Sequence, residues 1–458
     1  MAVTSTSVVS VALPTIGRDL HASSTSLEWI VDAYVIVVAS LLVAGGVLSD
    51  RRGRKGMFMA GVAVFGAGSL VAAVSPSVGW LVVGRVVQGL GPAIVTPTSL
   101  AIISSTFPDA RGRAAAIGVW SSGSGLALAL GPAVGGLLVA AGGWRWVFLL
   151  YAPVAAVVVA LGMRFIPLIP RGRATEAFDW IGAALTTFGV GVLTFAIIEG
   201  PSRGWSSGPI VAAFAAAVLG LTAFVFWERG RSSPLIDVSL FTRAPFTVAN
   251  VAGLAVFFAF IGGIVYLSAF LQQVQGRSAL GAGLAVLPIG AGFFLGAPLS
   301  GRLVGRLGPR LPMVLGLALC AVGTLALVRL SVRSSIGSVW WVLLAVGLGG
   351  GLSLTPMTAT AMAAVGSERA GMASAIHNSM RQVGQALGVA VLGSLVYGGV
   401  VGGAAGGGRL RGAAAGAFVD GLHRAVVVSG ACLLVAAALA VALIPTGVDR
   451  VDHGRAHT

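Results

Sequence analysis

Apolar stretches of about twenty residues recur along the whole chain, separated by short segments that carry most of its charge. A stretch of that length crosses the hydrocarbon of a bilayer as one helix. The pattern predicts fourteen spans, at about residues 4–17, 27–49, 57–75, 79–102, 113–141, 145–166, 179–199, 208–228, 246–271, 279–301, 311–330, 336–362, 371–399 and 424–445. The first is short, polar at its start and lacks a basic flank; it reads as a minimal helix or as the end of a longer native first span, and the second reading is favoured. Two connections are longer than the rest. Residues 400–423, with Gly402, Gly403, Gly406, Gly407 and Gly408, read as a flexible outer loop, and 229–245, with Pro234-Leu-Ile-Asp237, as a connector on the inner side.

The charged residues then set the orientation. Only 9% of the 458 residues are charged and 57% are hydrophobic, with a mean hydropathy of +0.97. Soluble domains carry about 25% charged residues, so a soluble enzyme is excluded. With both termini in the cytoplasm, the cytoplasmic junctions and tail hold 18 of the 29 basic residues and the outer side 9, while Arg85 and Arg381 lie inside spans. That bias follows the positive-inside rule. It also explains the net charge of +15 without invoking nucleic acid. Cys320 and Cys432 lie in apolar runs with no disulfide or metal spacing, and no cleavable signal peptide is evident.

An internal repeat organises the spans. Gly46-Val-Leu48-Ser-Asp50-Arg51-Arg52-Gly53-Arg54-Lys55 returns 255 residues later as Gly301-Arg-Leu303-Val-Gly305-Arg306-Leu-Gly308-Pro-Arg310, with Gly305 in the place of Asp50. Arg113-Ala114 returns as Arg369-Ala370 after 256 residues. Two copies of a six-helix unit parted by an extra pair account for both offsets. This gives a bundle at 1–166, an inserted pair at 167–230, a second bundle at 231–445 and a cytoplasmic tail at 446–458.

Charges inside a bilayer are costly and usually functional. Asp32 in span 2 and Arg85 in span 4 both sit roughly 8 Å below the outer end of their helices at 1.5 Å per residue, so the two can face each other. Asp32 is the candidate for taking and releasing a coupling proton, with Arg85 setting its affinity; a fixed ion pair is the alternative. Glu28 belongs to the solvated outer mouth. At the inner end of span 2, Asp50 can pair with Arg51, Arg54 or Arg113, or cap a helix of the other half. With Gly46 and Gly53 at the turn, it forms a candidate gate.

Gly131-Pro132-x-x-Gly135-Gly136 in span 5 is a close-packing and kinking motif. In span 13, Asn378, Arg381, Gln382 and Gln385 follow the spacing 0, 3, 4, 7 and share one helical face, which must point to protein or to a wet cavity. Tyr34, Gln88, Trp120 and Gln272 are further candidates for a substrate cavity, as is Phe257 for stacking. No G-x-x-x-x-G-K-[ST] loop, catalytic triad or zinc cluster is present, so no cofactor is expected and the energy comes from an ion gradient or from the substrate's own gradient.

Together these residues resemble the fourteen-helix drug:proton antiporter branch of the major facilitator superfamily. The markers are Val11-Ala-Leu-Pro14, the Asp50 loop, the Arg85 segment, Gly131-Pro132-x-x-Gly135-Gly136, Trp144-Arg145-Trp146-Val-Phe148 and Pro234-Leu-Ile-Asp237. The resemblance implies the major facilitator fold, two parallel six-helix bundles around a midplane site, and proton-driven export of hydrophobic, often cationic or aromatic, compounds. The protein would be a monomer in a bacterial cytoplasmic membrane, its partners being lipid, small-molecule substrate and protons. The branch usually carries an acid a few residues before Val-Ala-Leu-Pro and an Asn directly before it; this chain has Ser5 and Ser10 there, which shifts the weight to Asp32. Uptake of a metabolite or a non-transporting sensor are the alternative readings.

Overall fold

The computed structural model describes residues 2–168, 178–231, 234–366, 369–400 and 409–445, and every regular element among them is helical. The helices are α1 (Ala2–Asp19), α2 (Ser24–Arg52), α3 (Arg54–Ala73), α4 (Val78–Thr106), α5 (Ala110–Gly142), α6 (Arg145–Leu149), α7 (Tyr151–Phe165), α8 (Trp180–Arg203), α9 (Gly208–Arg229), α10 (Ala244–Ala269), α11 (Ala279–Leu307), α12 (Arg310–Ala326), α13 (Trp340–Ala363), α14 (Ala370–Tyr397) and α15 (Gly412–Leu443). Each of the fourteen apolar runs overlaps a helix, α6 and α7 acting as one because only Leu150 parts them. Eleven of the resulting segments are long and apolar enough to cross a membrane among the described residues. The three outside that set are α1, α5 and α14, the last of which carries the polar run from His377 to Gln385.

Local chemistry fixes the ends. Asp109 and Asp179 cap α5 and α8 by accepting from the amides of Gly112 (2.6 Å) and Gly182 (2.9 Å). Gly53 and Gly308 sit at φ 105° and 77° directly after α2 and α11, a left-handed turn that favours glycine at both copies of the repeated loop. One boundary differs from expectation. The last helix starts at Gly412, within the segment read as loop, because Ala413-Ala-Ala-Gly-Ala417 has strong helix propensity. Residues 401–408, which hold the glycines assigned to that loop, and the tail at 446–458 lie outside the described residues.

Helices α2, α3, α4 and α7 pack together, with α1 against α5; α10, α13, α14 and α15 pack together, with α11 and α12 against α13. These sets meet where α2 and α4 pack on α14 and where α5 packs on α11 and α13, and the repeated loops stand at two of these crossings, α2 with α14 and α5 with α11. Both are backbone contacts. A Cβ at Gly46 would lie 2.5 Å from Gly371 O, and one at Gly301 would lie 2.7 Å from Ala114 O. Gly46 and Gly301 are repeat partners, so the repeat has produced the same crossing twice. Helix α8 leans on α9, on α2 and on α14, its Ile197 packing against Ala386 and Ala390. Large apolar side chains face outward, among them Leu137 and Leu219 at 70% exposure and Phe226 at 69%, as a lipid-facing surface requires.

Candidate functional site

Asp50 stands at the C-terminal end of α2, where the chain turns at Gly53 into α3. Its Oδ1 accepts from Arg54 Nε (3.0 Å) and Nη2 (2.8 Å). The same carboxylate reaches across to the first turn of α14, where Gly371 N donates to Oδ1 (3.2 Å) and Met372 N to Oδ2 (3.1 Å). A helix N-terminus has unpaired amides and a partial positive charge, so it binds an anion with both terms favourable. A side chain at Gly371 would collide with Asp50 itself, its Cβ 2.6 Å from Oδ2. Arg54 is held by Ala101 O (3.1 Å) and by Ser105 Oγ. Arg51 lies over the Phe178 ring at 5.7 Å, and Arg113 forms no ion pair among the described residues. The second copy of the loop has no acid, and there the polarity reverses: Arg111 Nε donates to Gly305 O (2.9 Å) at the α5–α11 crossing. Both crossings are therefore latched at the Asp50 end of the molecule.

Arg85 and Asp32 do not meet. Arg85 is fully buried and donates from Nε to Ile30 O (2.8 Å), and from Nη1 to Ser5 Oγ (2.8 Å) and Gln88 Oε1. Its guanidinium lies 4.2 Å from the centre of the Tyr34 ring. The expected pairing fails on azimuth. Ile30 and Tyr34 lie one turn apart on the face of α2 that meets α4, and Asp32 is two residues, about 200°, from Ile30. Equal depth was correct, but the side chains point to different neighbours. Asp32 is half-buried, and the charged groups that act on it are Glu199 of α8 and Glu28 rather than Arg85. Glu199 is buried and paired with Arg203 at 2.6 Å.

Gln88 and Tyr34, read as cavity residues, are buried and hold Arg85. Gln88 also donates from Nε2 to Ser69 Oγ (2.6 Å). Trp120 is half-buried and donates to Ser99 Oγ (3.0 Å); Gln272 is exposed and donates to Ser268 Oγ (3.0 Å).

On α14 the polar face divides. Asn378 and Arg381 are buried and joined, Arg381 Nη1 donating to Asn378 Oδ1 at 3.0 Å, whereas Gln382 and Gln385 are half-buried. Arg381 covers the Phe257 ring of α10 at 4.1 Å. In α5 the helix runs unbroken through the glycine-proline motif. Gly135 packs on α1, where its Cβ would meet Val8 O at 3.1 Å. Gly131 is buried, Gly136 has open space beside it, and the side chain of Pro132 lies outside the described residues.

Sequence reasoning missed Glu199 because it closed span 7 at that residue; α8 runs four residues further, to Arg203, which puts the acid inside the helix. Glu228, at the last turn of α9, is likewise buried. An acid within an apolar run was the available signal in both cases.

The chain is similar to known proteins over most of its length. The profile of the Major Facilitator Superfamily matches residues 1–389. The multidrug resistance protein Stp of Mycobacterium tuberculosis is 38% identical over 392 residues, 85% of this chain and 72% of that protein. The methylenomycin A resistance protein of Bacillus subtilis is 35% identical over 398 residues, 87% of this chain and 85% of the relative. The tetracenomycin C resistance and export protein of Streptomyces glaucescens is 35% identical over 391 residues, 85% of this chain and 72% of the relative. Among solved structures, the proton:xylose symporter XylE superposes with a TM-score of 0.66 at 14% identity, over 97% of this chain and 93% of that one. The human organic anion transporter MFSD10 gives 0.64 at 16% identity, over 96% of this chain and 98% of that one. With its helices, its doubled crossing and its latched loop, this chain is an integral membrane protein of the cell membrane and belongs to the Major Facilitator Superfamily.

Proposed function

We propose that this chain exports hydrophobic small molecules, of the kind that includes drugs and antibiotics, in exchange for protons. The fourteen helical segments are then fourteen spans, arranged as two six-helix halves with α8 and α9 inserted, and both termini lie in the cytoplasm. The observation that supports a transport cycle most is the Asp50 latch: a carboxylate on one half holding the helix N-terminus of the other. Such a contact must break for the two halves to part, so it belongs to a two-state device. With the basic loops inside, it closes the cytoplasmic side, and the cavity opens outward. Export is supported by the names of relatives at 35–38% identity, which are resistance and efflux proteins.

The proton gradient is the proposed energy source. Asp32 carries the proton, and its working neighbour is Glu199 of the inserted pair rather than Arg85. Everted membrane vesicles test the direction. On energisation they take up a hydrophobic drug against its gradient, and a protonophore stops the uptake. Uptake into right-side-out vesicles alone would overturn export.

A further inference from the structure

The inserted helices hold a buried acid at each end, and only one of the two is paired. Glu199, near the end of α8, has Arg203. Glu228, in the last turn of α9, is 2% exposed, and neither of its oxygens has a partner at hydrogen-bonding geometry among the described residues. Asp179, the N-cap of α8, stands against it. A Cβ at Gly182 would lie 2.4 Å from Glu228 Oε1 and 2.8 Å from Asp179 Oδ2, so the two oxygens are no more than about 5 Å apart. Asp179 is met as an anion, by the donors Gly182 N and Trp227 Nε1, each at 2.9 Å. Two carboxylates this close do not both ionise cheaply. Glu228, the one without such donors, is the one placed to take a proton, which close packing does not bar.

The other groups that act on Glu228 are the Arg231 cation and the backbone amides of Leu235 and Ile236. Arg231 is stacked on Trp227 at 4.3 Å, Arg51 of α2 lies over Phe178, and Asp237 accepts from Ser239. The two amides belong to the connector that leads from α9 to α10, and that connector also touches the gate. Leu235, Ile236 and Leu240 are buried in the apolar cluster that holds Ala183 of α8, Phe224 of α9 and Ala370 of α14. Asp237 Oδ2 lies 3.9 Å from Nη1 of Arg369, the residue before α14, and Arg243 Nη1 donates to Ala364 O (3.0 Å) just after α13. Two residues past Arg369 begin the amides, of Gly371 and Met372, that Asp50 holds.

We propose that Glu228 is a proton-operated catch on the inner gate. Ionised, its carboxylate draws the Leu235 and Ile236 amides by charged hydrogen bonds and holds the connector against the inserted pair. Neutral, it releases them. The assignment rests on the transport reading above and adds regulation to it: the start of α14 is held firmly when the cytoplasm is alkaline and loosens as it acidifies.

The test is hydrogen–deuterium exchange of the purified full chain in nanodiscs across pH, corrected for intrinsic rates. Two peptides are followed, residues 234–243 and the first turn of α14 from Ala370. In the wild type both are protected at least about tenfold more at alkaline than at acid pH, the factor that a charged hydrogen bond supplies. Glu228→Gln keeps the volume, removes the charge and exchanges at the acid rate at every pH. Asp179→Asn keeps a capping residue but removes the like charge, so the transition moves to lower pH. A side chain that only fills space would give neither change. Protection that does not vary with pH in the wild type overturns the proposal, as does a transition that survives Glu228→Gln in a monodisperse protein. So does one confined to the connector, which leaves Glu228 without a hold on the gate. Because exchange is read without flux, a transition in a protein that exports nothing supports the catch and refutes the transport reading, and export without a transition does the reverse.

Discussion

Replacing Asp50 removes partners on two helices at once. Its side chain is 9% exposed, and Arg54, at 6%, depends on it. Leaving one member of a buried pair unpaired costs roughly 3–5 kcal/mol. Asp50→Asn also weakens the anionic cap on α14, the proposed gate. The expected result is a lower thermal midpoint and an export rate reduced by at least about tenfold (about 1.4 kcal/mol at the limiting step), read by vesicle uptake; a wild-type rate would remove the latch from the cycle. Ser5 offers the opposite experiment. It accepts from Arg85 at 2.8 Å. Ser5→Asp gives the buried guanidinium a counter-charge and a charged hydrogen bond worth about 1.5–3 kcal/mol. A raised midpoint in detergent is expected, and a lowered one would contradict the placement of Arg85. At this scale the sequence was legible for chemistry and depth but not for direction. Asp32 and Arg85 were singled out as charges within apolar runs, and both stand within helices, but counting residues from a helix end cannot tell which side of α2 faces α4. Packing of whole helices decides that, and it set Ile30 and Tyr34, not Asp32, against Arg85.

Helices meet in this protein where side chains are absent. At Gly46 an added Cβ stands 2.6 Å from Ala375 Cβ, against rigid backbone on the other side, so Gly46→Ala must push α2 and α14 apart. The expected outcome is faster labelling by a thiol reagent of a cysteine placed on the Asp50 side of the cavity; unchanged labelling would show that the crossing does not seal it. The opposite end has its own tie. Asp19 at the end of α1 accepts from Trp144 Nε1 and from Arg145 Nη1, each at 2.8 Å. These hydrogen bonds and the charge of Arg145 hold the Asp19 carboxyl below its ordinary range. A lowered value stabilises above the ordinary aspartate range and is lost as pH falls through it. Asp19→Asn therefore lowers the thermal midpoint slightly at neutral pH, and the difference shrinks as the pH falls below the ordinary aspartate range; a difference that does not shrink would locate its origin outside the ionised form. The elements themselves were largely legible, since all fourteen apolar runs carry helices. The exceptions were polar or alanine-rich ends, α8 past Glu199 and α15 before Arg424, where hydropathy falls while helix propensity does not.

The whole molecule is organised by its repeat. A ten-residue similarity 255 positions apart pairs Gly46 with Gly301, and the structure sets both at crossings between the two helix sets. What the repeat could not foretell is the asymmetry laid over it: an acid latch at one crossing, an arginine latch at the other, and two arginines, Arg85 and Arg381, buried against aromatic rings with no carboxylate partner among the described residues. Alternating access follows if the latches open together and the cavity between the halves turns inward. In the proposed cycle, coupling to protons depends on one carboxylate, Asp32 of α2.

Proteoliposomes holding a trapped pH dye test that claim most directly, with proton movement recorded as a hydrophobic substrate is added to the wild type and to Asp32→Asn. The account predicts substrate-dependent proton flux in the wild type and none in the variant, with the variant still folded. A variant that moves protons with substrate at the wild-type rate would contradict it.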